Sequence, residues 1–171
     1  MLDLAYFYQI ELNECLKSIL KDKDLYFYFM FPFKFFSFHL ENSDSNTIQF
    51  ISKDNKGNII GYLAAYISRI NNSIENIDLI NFTGRTNIIF SRDAKLFFDE
   101  IFINRHIRKI TFHTIAQNPS ISMYRKFVKK FNGREVGILQ KNKILTDGNY
   151  YDEIIFEIFR EGYLNGNKIK L

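Results

Sequence analysis

Few side chains in this sequence stand where they could do chemistry. Tyr124 lies in the run SISMYRKFVKKF, on the apolar face of a helical pattern. A phenol there can pass a proton to a reacting group, or it can be a core ring. Asn118 ends a strand-like run just before Pro119. Its amide can contact a ligand, or it can shape a turn. Ser91, Arg92 and Asp93 open another helical pattern. There Ser91 suits an N-cap, and Asp93 suits the positive first turn. Arg92 reads either as a charge for an anion or as an ordinary solvated side chain. His113 alternates with its neighbours in a strand, which favours a packed histidine over a base. Cys15, on an N-terminal helical pattern, reads as a small buried hydrophobe. One cysteine and three scattered histidines (His39, His106, His113) exclude a disulfide framework and the usual structural zinc site.

The elements that must position these residues come from 171 residues, enough for one domain. Hydrophobic residues make up 46% and charged residues 25%, which excludes disorder. The net charge of +4 can attract an anionic ligand, but it makes nucleic-acid binding a minor reading, resting on Arg105, Arg108, Lys109 and a basic helix. No basic stretch leads into an apolar one at the N-terminus, so the cytoplasm is the expected location. The bias towards Phe, Ile, Asn and Lys is what an AT-rich genome produces.

Leu4–Leu20 spaces Phe7, Ile10, Leu12, Leu16 and Ile19 as an amphipathic helix. The Phe-rich run Leu25–Leu40 is too short for a membrane span, which needs about 20 residues, and it contains Pro32, Lys34 and His39. It reads as a core segment or as the aromatic wall of a pocket. Ile48–Lys53 and Ile59–Ile70 form a hairpin around DNKGN. A strand at Ile77–Phe82 follows, then a loop at Gly84–Ser91. The helix Asp93–Asn104 carries Ala94, Phe97, Phe98, Ile101 and Phe102 as one stripe. A proline at Ala94 would fall in its first turn and be tolerated. Lys109–Ile115 is a strand. Ser120–Phe131 is a helix with Ile121, Tyr124, Phe127, Val128 and Phe131 on one face. Arg125, Lys126, Lys129 and Lys130 lie on the other. Asn132–Gly133 stops it. Strands at Arg134–Lys141 and Tyr150–Phe159 close the pattern, with a loose tail from Gly162. The fold class is α/β: a mixed, mostly antiparallel central sheet with one parallel βαβ unit. The expected organisation is a single domain, with residues 1–47 on the acceptor side, 48–160 as sheet and cofactor core, and 161–171 as tail.

This order, from Ile48 to Phe159, resembles the GCN5-related N-acetyltransferases. The best local match is RKITFHTIAQNPSISMYRKFVKKFNGREVG. Its Asn-Pro-x4-Tyr spacing resembles a divergent bacterial or phage-like branch. The resemblance implies the acyl-CoA N-acyltransferase fold and acetyl-CoA as co-substrate. The acceptor would be an amine on a small molecule or protein, and a homodimer is an open expectation. By the same resemblance Asn118 contacts the cofactor and Tyr124 protonates the leaving thiolate. The strand segment Ile80, Asn81 and Phe82 supplies oxyanion donors. Ile88, Ile89, Phe90, Ser91, Arg92 and Asp93 wrap the pyrophosphate. Asp78 and Glu75 are the nearest acids for the base, with neither assigned. The family's phosphate loop carries glycines, whereas the stretch matched to it, TNIIFSRDA, has none. That difference motivates the alternative of a non-catalytic ligand- or protein-binding module.

Overall fold

In a computed structural model, the structure describes residues 1–21, 37–38, 40, 46–145 and 147–168. Most of the Phe-rich run Leu25–Leu40, including His39, lies outside the described residues. The strands are β1 (Leu2–Leu4), β2 (Thr47–Lys53), β3 (Ile59–Ser68), β4 (Ser73–Asn81), β5 (Lys109–Ile115), β6 (Arg134–Ile144) and β7 (Tyr150–Phe159). The helices are α1 (Gln9–Lys21), α2 (Ile88–Asp99), α3 (Ile121–Lys130) and α4 (Arg160–Lys168). The seven strands are ordered β1-β2-β3-β4-β5-β7-β6. The β4–β5 pair is parallel, in register Ser73↔Lys109 and Ile74↔Ile110, while β1–β2, β2–β3, β5–β7 and β6–β7 are antiparallel. The mixed α/β class expected from the sequence is the class observed.

The chain divides into two units, Met1–Tyr66 with Ile77–Asp99, and Ile67–Asn76 with Glu100–Leu171. In the first unit, Leu12, Leu16 and Ile19 of α1 pack against Ile51, Tyr62, Ala64 and Ile80 of β2–β4. Phe7 and Ile10 do not join them and are 68% and 77% exposed. The chain leaves β1 through a short 3₁₀ turn, Ala5–Tyr8, so Phe7 is out of phase with the helix that follows. Phe50 of β2 meets Phe97 of α2 edge to face at 6.5 Å.

In the second unit, the chain continues from α2 as a π-helical turn, Glu100–Asn104, that buries Ile101 and Phe102. Tyr163 of α4 is fully buried between Phe102 (4.7 Å) and Phe131 (4.4 Å). Arg160–Lys168 is therefore a packed helix, where the sequence pattern suggests a loose tail from Gly162. Gly162 and Gly166 make this possible: a Cβ at Gly162 would overlap the Phe131 carbonyl oxygen, and one at Gly166 would lie 2.7 Å from the Phe131 ring. Helix α3 ends as its sequence predicts. Asn132 takes the left-handed conformation (φ 52), and Gly133 N–H returns to the Val128 carbonyl at 2.9 Å.

Candidate active site

The first unit contributes a strand–loop–helix passage. Strand β4 ends at Asn81, and α2 begins at Ile88. The Asn81 side chain ties the loop together. Its Nδ2 donates to the Arg85 carbonyl (2.8 Å), and its Oδ1 accepts from Thr83 N–H (3.0 Å) and Thr83 Oγ1 (2.8 Å). Gly84 has φ 66, a left-handed turn position that glycine adopts without strain. Asn87 is the effective N-cap, since its Oδ1 accepts from Ile89 N–H (2.9 Å) and Phe90 N–H (3.1 Å). Its carbonyl accepts from Ser91 N–H at 2.9 Å. The helix thus starts before Ser91, the cap that the sequence pattern suggests. Short polar residues at both positions make the choice between them invisible to local pattern.

Phe90 shows what decides it. A Cβ on Gly61 would overlap the Phe90 ring and lie 2.8 Å from the Ile80 carbonyl oxygen, so glycine at β3 gives the first turn of α2 its seat. Ile80 is buried in the core, Phe82 is half-buried against it, and Ile88 is exposed. Asp93 is fully buried in the second turn and faces protein, not solvent. Its carboxylate takes Ser52 Oγ (2.8 Å), the Met1 ammonium (2.8 Å) and Arg92 (3.2 Å). Burial alone would push its carboxyl up, but these bonds outweigh it and hold the group below the usual carboxylate range.

One consequence concerns anion binding. The N–H groups of Ile89, Phe90 and Ser91 are used inside the helix cap, and those of Arg92 and Asp93 lie in the helix body. The N–H groups of Gly84, Arg85, Thr86, Asn87 and Ile88 have no acceptor among the described residues. These N–H groups overlap the start of TNIIFSRDA and extend two residues before it to Gly84, and such a row of donors suits an oxyanion.

The second unit contributes a turn and a helix. Asn118 N–H donates to the Ile115 carbonyl (2.9 Å), and its own carbonyl accepts from Ile121 N–H (2.9 Å). Its Oδ1 accepts from Ser120 N–H at 2.8 Å, which leaves Nδ2 without a partner among the described residues. Tyr124 lies in the first turn of α3, half-buried, with its ring edge-on to Phe112 at 5.8 Å. Its hydroxyl has no hydrogen-bond partner among the described residues, and burial pushes the phenol up, so it is neutral at pH 7. His113 is not free as a base: its Nδ1 lies 3.5 Å from buried Glu153.

Between the two acids left open, the structure distinguishes clearly. Glu75 is exposed. Asp78, in β4, is half-buried, and burial pushes its carboxyl up. It faces the Tyr62 phenol, itself pushed up first by burial and then by the Asp78 charge. Tyr62 accepts a hydrogen bond from Gln49 Nε2 at 3.1 Å. A single acid within an apolar strand was the only sequence signal for this group.

Comparison with solved structures bears on this architecture. The spermidine/spermine N-acetyltransferase SpeG from Vibrio cholerae superposes with a TM-score of 0.61 at 25% identity, covering 71% of this chain and 70% of that one. A point mutant of the same enzyme gives a TM-score of 0.62 at 24% identity, over 72% and 70% of the two chains. The chain has the GCN5-related N-acetyltransferase fold. A further structure of this fold, provisionally labelled an acetyltransferase, gives 0.58 at 16% identity over 73% and 63%. No family model matches the sequence, and no curated protein does. The GCN5-related likeness supports an N-acetyltransferase and rests on structure. No helix among the described residues is long and apolar enough to cross a membrane.

Proposed function

We propose that this chain is an acetyl-CoA-dependent N-acetyltransferase that transfers acetyl directly to a primary amine of a small molecule or protein. The observation that carries this reading is the β4–loop–α2 passage, whose backbone N–H groups from Gly84 to Ile88 have no acceptor among the described residues, on a fold shared with acetyltransferases. Phosphate groups suit such a row, because successive N–H dipoles converge on an anion without a side chain. Exposed Arg85 adds a guanidinium at the same loop. Such a donor set suits a pyrophosphate, which favours the catalytic reading over a non-catalytic module.

The co-substrate would supply an acetyl thioester. Every other role falls to residues of this chain. Gly84–Ile88, Arg85 among them, hold the phosphates, and the family resemblance assigns the Asn118 amide to the cofactor. Asp78 takes the proton that the ammonium form of the acceptor must lose. For a lysine-like amine with a pKa near 10.4, reaching the neutral form at pH 7 costs about 4–5 kcal/mol. A carboxyl raised by burial is better matched to that task than an ordinary one. Tyr124 O–H gives its proton to the departing sulfur. A cytoplasmic location fits this use of acetyl-CoA.

Calorimetry with acetyl-CoA, followed by mass spectrometry on a panel of primary amines that includes spermidine and spermine, tests the reading. Micromolar binding and a 42-dalton gain on an amine are the expected outcome, 42 being roughly the mass of an acetyl group less a proton. No binding at millimolar acetyl-CoA would overturn it.

A further inference from the structure

At the start of β4, away from the loop that follows its end, the second unit holds a cavity of about 260 Å³ lined by Ile67, Arg69, Asn72, Arg105 and Ile107. Two features set this corner apart. Asn72 (φ 46) and His106 (φ 55) both hold left-handed backbone, a conformation uncommon outside glycine. They brace each other: Asn72 Nδ2 donates to the His106 carbonyl at 3.2 Å, and Arg108 N–H donates to the Asn72 carbonyl at 3.0 Å. Strained backbone held by its surroundings marks places where a particular geometry is kept.

The second feature is charge. Arg69 and Arg105 line the cavity, exposed Arg108 follows in sequence, and Arg160 meets His106 Nδ1 at 2.9 Å. Glu100 accepts from Arg105 Nε (2.9 Å) and from Asn104 Nδ2 (2.6 Å). Glu157 is taken by Lys109 and Arg134. The Arg105–Glu100 bond uses only Nε, so among the described residues the terminal nitrogens of that guanidinium remain for another acceptor. Arg69 lines the wall beside it.

We propose that this pocket binds the oxyanion of a small ligand, a phosphate or carboxylate group. Arg105 supplies the guanidinium fork, Arg69 lies at the wall beside it, and Ile67 and Ile107 form an apolar floor for the rest of the molecule. A planar guanidinium held by one bond is preorganised for such a group. The volume lies just below that of common small-molecule pockets and suits a compact ligand. None of these residues belongs to the acetyl-CoA reading, so the proposal stands or falls separately from it.

Amide chemical shifts of the whole chain, followed by NMR at constant ionic strength, provide the test. Inorganic phosphate and acetate are the probes, and chloride is the control. Saturable shifts at Asn72, His106 and Ile107 with phosphate identify a phosphoryl site, and with acetate a carboxylate site. The affinity should fall about tenfold in Arg105→Ala and further in the Arg69→Ala/Arg105→Ala double variant, the size expected for charge-assisted hydrogen bonds. Arg105→Lys, which keeps the charge without the fork, should fall between. Shifts confined to Gly84–Ile88, an equal response to chloride, or an unchanged affinity in a folded double variant would each overturn the proposal. The shift map of the parent protein decides the matter even if a variant fails to fold.

Discussion

Two strand-to-helix passages in this protein are built from similar materials and use them differently. Between β4 and α2, the side chains of Asn81 and Asn87 do the bonding, and the backbone N–H groups of Gly84–Ile88 have no acceptor among the described residues. Between β5 and α3, Asn118 N–H returns to the Ile115 carbonyl, Ile121 N–H to the Asn118 carbonyl, and Ser120 N–H to Asn118 Oδ1. The first passage can therefore recognise an anion through its main chain. The second adds two side chains, the Asn118 amide and the Tyr124 phenol, whose Nδ2 and hydroxyl have no partner among the described residues. In the proposed function the glycine-containing loop is assigned to binding and the helix after the Asn-Pro turn to proton transfer.

The largest effect expected is at the side-chain passage. Tyr124→Phe keeps the ring against Phe112 but removes the proton donor, and should lower turnover by roughly 10²–10⁴. Acetyl-CoA affinity and melting temperature should hardly move. Turnover within twofold of the parent would reduce Tyr124 to a core ring and break the contrast on that side.

Ala94→Pro probes where α2 begins. With the helix starting at Ile88, Ala94 lies in its interior, so proline should cost about 3 kcal/mol or more in urea unfolding. A near-neutral result would restore the later helix start that the sequence pattern suggests.

Gly61→Ala attacks the seat of Phe90, and the overlap should cost about 1–3 kcal/mol. Acetyl-CoA binding should weaken with it, because the first turn of α2 is displaced. Stability lost with affinity intact would separate the loop from that seat.

Asp78 adds a signed pH dependence. Its carboxyl is raised in the folded protein, so the neutral form favours folding. That contribution is present below the unfolded pKa and is lost as pH rises through the raised folded value. Asp78→Asn should therefore melt no lower than the parent at pH 7, while turnover drops and the rising limb of its pH profile disappears. A rising limb that survives in the variant would assign the base elsewhere.

The smallest effects compare the two asparagines directly. Asn87→Ala removes a cap and should cost about 1 kcal/mol in thermal unfolding, with acetyl-CoA affinity kept, since the cap's N–H groups become free. Asn118→Ala should cost a similar amount and also weaken acetyl-CoA binding a few-fold. Equal affinity in the two variants would show that Asn118 only shapes its turn.

Much of this was legible in the residues. The hairpin around DNKGN, the stripe Phe97–Phe98–Ile101–Phe102, the face Val128–Phe131 and the stop at Asn132 all lie where periodicity put them. These features are local: an apolar repeat of 3.6 or 2 residues records which face is buried, whatever the partner. The turn at Asn118 and the helix that carries Tyr124 were legible for the same reason, while the roles of the two side chains come from the family resemblance.

Other features depended on residues distant in sequence. Gly61 admits Phe90 and so seats α2. Ser52 draws Asp93 inward, away from the helix face that a first-turn acid would occupy. Gly162 and Gly166 bring α4 onto Phe131 and turn a polar, glycine-rich tail into a helix that buries Tyr163. Burial sorts Asp78 from Glu75, which the sequence leaves equivalent. By itself the sequence determined the mixed α/β order, the apolar faces and the pairing of an asparagine with a tyrosine one turn on. The tertiary structure alone decided which N–H groups remain unpaired and which carboxyl is raised, because both depend on contacts between segments that no local pattern records.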